Sequence, residues 1–172
     1  MQVRKRWISL VVAFGAMAPA CAADDDADFA RQAASTGLLE VELGNYAAMN
    51  AADPDVKRFG RAMVDDHSRV NQELEDLARR EGIRLKSSMS VAHREEATKL
   101  MSLQGEAFDS AYVEAMVDGH QEAVDAFSAQ ASQNRSGVDR WAASKLPALQ
   151  QHLAHARELA EKSGADRVSQ NP

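Results

Sequence analysis

Four side chains able to coordinate a metal ion are spread one to a helix along this sequence: Glu40, His67, His120 and His152. Three imidazoles and a carboxylate suit a first-row transition metal such as zinc, iron, copper or nickel. Each of the four falls on or beside the apolar stripe of its segment and near the middle of that segment. In a bundle of helices of similar length, mid-helix residues share one layer whichever way each helix runs, so the four are expected to converge. The expected cofactor is a single transition metal ion, with zinc, copper and iron as candidates. Asp66 precedes His67 and either orients a ligating imidazole from behind or caps local polarity at the bundle edge. Met63 and Met116 lie one turn from His67 and His120; a thioether would favour copper, although a methionine on a core stripe is ordinarily packing.

The same residues also allow a metal-free bundle. A buried histidine and a buried glutamate can satisfy each other by a charge-assisted hydrogen bond and fix helix register. A third reading, a small hydrolytic or redox enzyme, would need an open position on the metal. No catalytic residue emerges from the pattern. There is no glycine-rich phosphate loop, no CxxC pair and no nucleophile with a recognisable base. His152 and His155 are three apart but lack the intervening glutamate of a zincin. His93 and His155 are expected to be solvated.

Positioning these residues requires four main helices and a short one. The first is expected from about Asp26 to Asn50, with Phe29, Ala33, Thr36, Gly44 and Ala47 around the face that carries Glu40. Asp53-Pro54 is an N-cap followed by proline at the first helical position, which starts the second helix. That helix runs to about Glu81 and stops at Gly82. Its residues Val56, Gly60, Met63, His67, Val70, Leu74 and Leu77 alternate steps of four and three, the seam of a bundle helix in which His67 is the polar member. A polar connection over Ile83–Ser90 leads to a short helix from Val91 to about Leu103, capped by Ser90 and broken at Gly105. The third main helix is expected over Glu106–Ser132. After a turn at Asn134–Gly137 the fourth runs over Val138–Lys162. Pro147 either kinks that helix or marks a restart at Leu146.

An internal repeat ties two of the helices together. Residues 61–67 read RAMVDDH and residues 114–120 read EAMVDGH, with Phe59 answering Tyr112 and Leu74 answering Phe127. Both histidines occupy the same place in the repeat and the same inner face.

Composition excludes several classes. Of 172 residues, 45% are hydrophobic but only 5% aromatic, and alanine fills much of the apolar class, which suits close helix packing rather than a sheet. A net charge of −6 without a basic patch argues against nucleic acid as a partner. The basic cluster Arg4-Lys5-Arg6 opens a secretory signal. The apolar run Trp7–Ala18 is too short to span a bilayer, and Ala20-Cys21-Ala22 has the form of a cleavage site. The expected organisation is a signal peptide at 1–22, a bundle at 23–165 and a polar tail at 166–172. Removing the three leader cations takes the net charge from −6 to −9. Cys21, the one cysteine, lies at the processing site, so it is either removed or lipidated, and no disulfide is expected. The mature chain is expected to be exported to the periplasm or cell envelope without a transmembrane segment.

Several of these pieces occur together in one order. Glu40-Val41-Glu42-Leu43-Gly44 is followed by Val56-Lys57-Arg58-Phe59-Gly60, leading to Met63 and Asp66-His67. Phe108-Asp109 then leads through Tyr112 to Met116 and His120, and Leu146-Pro147 precedes His152-Leu153. The combination resembles domain-of-unknown-function family 4142, a family of bacterial exported proteins, from about Phe29 to Leu159. The resemblance implies an all-α, ferritin-like four-helix bundle with the short helix in its crossover connection and helices two and three parallel. It implies no activity. Ferritin-like di-iron enzymes carry Glu-x-x-His pairs. Here the residues three before His67, His120 and His152 are Val64, Val117 and Leu149, so iron storage or oxygenase chemistry is not implied.

Overall fold

The computed structural model describes residues 20–169, with side chains described over 23–163. The signal segment read in residues 1–19 and the last three residues lie outside that range, and the expected cleavage point falls in the first turn of α1. The described residues form five helices: α1 (Ala20–Asn50), α2 (Pro54–Arg80), α3 (Val91–Met101), α4 (Gly105–Gln133) and α5 (Gly137–Ser169). No strand occurs among them, and no helix among them is long and apolar enough to cross a membrane.

Helix ends follow local chemistry. The Asp53 side chain accepts the amide of Asp55, with Pro54 in the first turn of α2. Ser90 caps α3 by accepting the amide of His93. Gly82 leaves α2 at φ +69°, a conformation open to glycine at no steric cost. Two helices outrun their expected bounds. α1 begins at Ala20 rather than Asp26, because the alanine-rich stretch before Asp26 contains nothing that breaks a helix. α5 continues to Ser169 rather than Lys162, and it passes through Pro147 instead of restarting at Leu146. Pro147 and Ala143, whose carbonyl loses its usual donor, are both exposed, so water can take the lost bond's place.

Pairwise contacts fix the direction of each helix. Asp53 and Asp109 meet at one end of the bundle, Asp26 and Gln130 at the other. Ser35 meets Ser90, and Tyr46 meets the Leu103 carbonyl, so the connection bearing α3 travels alongside α1. Lys145 pairs with Glu73 and Lys162 with Asp55, so α5 runs antiparallel to α2. The order is therefore up, down, return connection, down, up, with α2 and α4 parallel.

α1 packs along α2, and α4 along α5, whereas the two hairpins meet more sparsely. The first hairpin is tight where Gly44 faces Gly60: a Cβ on Gly60 would lie 2.8 Å from the Gly44 carbonyl oxygen and 2.9 Å from Ala47 Cβ. The apolar core is split. One part, with Leu43, Phe59, Met63, Tyr112 and Leu159, lies toward the α1–α2 turn. The rest, with Ala30, Leu74 and Val138 and with Phe127, Ala142 and Leu149, lies toward the α4–α5 turn. Between them is a polar layer.

Gly60→Ala is expected to lower stability by about 1–3 kcal/mol, because backbone cannot yield to the added methyl. Gly119→Ala, whose Cβ would meet only Glu40 Oε1 at 3.7 Å, should be neutral or gain up to about 1 kcal/mol from helix propensity. Urea unfolding of the two variants side by side checks this; equal midpoints would remove the close approach as a constraint.

Candidate metal centre

The layer is built by the middles of three helices. His67 lies on α2, His120 on α4 and His152 on α5, and all three are buried, at 7%, 1% and 9% exposure. Their ring centroids form a nearly equilateral triangle, 5.6 Å for His67–His120, 5.5 Å for His67–His152 and 5.4 Å for His120–His152. One ligand atom from each lies within 4.8 Å of the other two. A tetrahedral ion bound at about 2.1 Å holds its nitrogens about 3.4 Å apart, so small ring rotations would close the set.

Hydrogen bonds set which nitrogen of two rings is free. Nδ1 of His120 is 2.9 Å from the Met116 carbonyl oxygen, which can only accept; the proton is therefore on Nδ1 and Nε2 carries the lone pair. Nε2 of His152 lies 3.0 Å from Asp66 Oδ2 and donates to it, leaving the lone pair on Nδ1. Asp66 is held in turn by Arg69. Buried Nε2 of His67, Nε2 of His120 and Nδ1 of His152 have no hydrogen-bond partner. A backbone or carboxylate acceptor behind a ring, with a bare nitrogen in front, is the usual arrangement around a metal-ligating histidine.

Charge follows burial. Burial, then the neighbouring His120 and His152, hold His67 down to about 3 from the usual 6.5, against a smaller upward pull from Asp66. Burial and His152 hold His120 down to about 4, with the Met116 bond opposing. Both rings are thus neutral at pH 7, the form that binds metal. Burial raises Asp66, but its bonds and charge contacts with His152 and Arg69 prevail and hold it below the usual carboxylate range.

Glu40 is also buried, at 3%, but it stands to one side. Its Oε1 is 4.0 Å from Nδ1 of His120, the nitrogen already engaged by Met116, and its Oε2 has no partner. Burial and then the charge of Glu96 raise its pKa from 4.5 to about 8. Of the four expected ligands the structure therefore gathers the three histidines and sets Glu40 beside them. Asp66 contacts His152, across the bundle, rather than its chain neighbour His67. Met63 and Met116 are core side chains.

Other polar residues do work that the pattern of residues did not reveal. The Asp109 carboxylate accepts the amides of Ala52 at 3.0 Å and Asp53 at 2.6 Å, pinning the α1–α2 turn. Asp139 accepts the amides of Arg135 and Ser136 and a bond from Gln130, which fixes the α4–α5 turn. The one available signal was Asp139, an acidic residue in the first turn of α5. His93 departs from expectation: it is half-buried, with Nδ1 2.8 Å from Ser35 Oγ. His155 is exposed, with its ring edge against Phe59 at 5.0 Å.

Fold and layer together define an all-helical bundle with a buried three-imidazole cluster at mid-height. The chain belongs to the family described as Domain of unknown function (DUF4142), whose sequence profile matches residues 12–159. No curated protein and no solved structure matches the chain.

The shifted groups give the metal-free protein a definite pH profile. His67 and His120 contribute stability that is present above about pH 6.5 and lost as pH falls toward 4 and 3, because the unfolded chain takes up protons first. Glu40 has the opposite sign: its contribution is present below pH 4.5 and lost as pH rises through about 8. Two imidazoles outweigh one carboxyl where the windows overlap, so the thermal midpoint in chelator should peak near pH 6.5. Glu40→Gln should flatten the alkaline limb between pH 6.5 and 8; an unchanged limb would contradict the assignment.

Proposed function

We propose that this protein is an exported helical bundle that binds one transition metal ion through His67, His120 and His152, with zinc, copper or iron as the candidate ions. The observation that carries the reading is the set of three buried imidazole nitrogens without partners. A buried polar atom left unsatisfied is costly, and three on rings whose ligand atoms lie within 4.8 Å of one another would be accounted for by a cation. Asp66 and the Met116 carbonyl then serve to hold two of the rings in the ligating tautomer. The bound ion would supply Lewis acidity; this chain's own residues orient the rings. The role proposed is metal handling or envelope stress.

The competing reading is a non-catalytic structural or interaction bundle with a buried Glu–His network; the Asp66–His152 bond at 3.0 Å favours it, whereas Glu40 stands 4.0 Å from His120, longer than a hydrogen bond. We also propose a ferritin-like topology, on the strength of the parallel α2 and α4 joined by a long connection, without the di-iron ligand pairs of that class. Export to the periplasm or cell envelope rests on the basic start, short apolar run and small-residue site of the first 22 residues.

Elemental analysis of the untagged protein recovered from the periplasm is expected to find about one ion per chain. His67→Ala and His120→Ala should lose it while remaining helical, and Asp66→Asn should weaken binding about 10- to 100-fold. Metal retained at full occupancy in a variant lacking all three histidines would refute the site.

A further inference from the structure

Glu40 is left unexplained by a three-histidine centre. It is a carboxyl in the interior with one oxygen unpartnered, placed next to the ligands without joining them. Its surroundings point outward. A cavity of about 630 Å³ is lined by Glu40 and the three histidines together with exposed residues of α3 and α4. Its wall there includes Glu96 of α3 and Glu114, Asp118 and Glu122 of α4, all exposed. The three α4 residues are four apart, so they form a ladder along one face of the helix that also bears His120. Gly119 lies beside the Glu40 carboxyl: a Cβ there would meet Glu40 Oε1 at 3.7 Å, an ordinary contact.

Two cationic side chains elsewhere in the cavity lining are engaged: Arg69 pairs with Asp66 and Lys145 with Glu73. Lys99 of α3 also lines the cavity. The acidic groups therefore outnumber the cations left to answer them.

We propose that Glu40 and Glu96 form a carboxylate station at which a divalent cation pauses on its way from the acidic ladder of α4 to the three histidines. This rests on the metal centre proposed above. Oxygen donors accept hydrated divalent cations and release them readily, whereas imidazole nitrogens hold transition metals more firmly, so an oxygen-first, nitrogen-second order runs toward tighter binding. Two carboxylates lining one cavity disfavour each other's charge, and a cation held by both relieves that repulsion. Acidic walls of low dielectric also concentrate cations at the mouth.

A route lowers the barrier for entry and exit alike. It changes rates while leaving the final affinity alone. The test is stopped-flow loading of the metal-free protein with Co²⁺, followed by the visible absorption of the histidine-bound ion, with dissociation measured by chelator challenge. Glu40→Gln with Glu96→Gln is expected to slow both loading and release about tenfold or more, with an unchanged final spectrum and Kd. Glu114→Gln with Glu122→Gln, both exposed and safe for folding, should slow loading at low salt and lose that effect at high salt. Glu75→Gln, exposed on α2, controls for net charge.

Equal loading rates in all variants would overturn the route while the cobalt spectrum upholds the centre. A weaker Kd with unchanged loading would make Glu40 a permanent ligand and also overturn the route. No cobalt signal in the wild type would overturn the centre and the route together.

Discussion

Everything in this bundle is arranged around a layer that, in isolation, opposes folding. Three imidazoles and a carboxyl are withdrawn from water at mid-height, and four of their polar atoms gain no bond in return. Burying such groups costs free energy that apolar packing above and below must offset. The split core reflects that division of labour. Aromatic and aliphatic side chains fill both ends of the bundle, and the polar layer interrupts them where all four long helices pass. The downward shifts of His67 and His120 express the same penalty in protons: the layer accepts neutral rings and resists charged ones, which is also the state a metal ion selects.

Much of this was legible in the residues because the rules involved are local or periodic. The seven-residue seam of α2 placed His67 inward, and the repeat placed His120 at the matching position of α4. Because α2 and α4 run parallel, residues that correspond in the repeat lie at the same height: Phe59 rests against Tyr112 at 6.2 Å and His67 against His120 at 5.6 Å. Capping chemistry located the start of α2 and α3. What could not be read was lateral. Nothing in the spacing of Glu40 says that it would meet the bonded nitrogen of His120 rather than the free one. Nor does adjacency in the chain say that Asp66 would serve His152 on another helix, since neighbours on a helix point about 100° apart.

The same limit explains the turn anchors and α3. Asp109 acts on amides more than fifty positions away, and Ser35 reaches both the Ser90 amide and the His93 ring. These are tertiary hydrogen bonds between polar residues that look, in one dimension, like ordinary solvated positions. They matter to the site because they fix the heights of the helices. If Asp109 did not hold the α1–α2 turn against α4, the two halves of the repeat would have no reason to stay level.

The division into two hairpins has a mechanical consequence. His67 belongs to one hairpin, while His120 and His152 belong to the other, so the cluster bridges the loosest seam of the molecule. An occupant shared by both sides acts as a rivet at mid-span, where leverage against splaying is greatest for either end. Filling and emptying that position would therefore set how freely the halves breathe, and so how readily the interior of the bundle is opened to solvent.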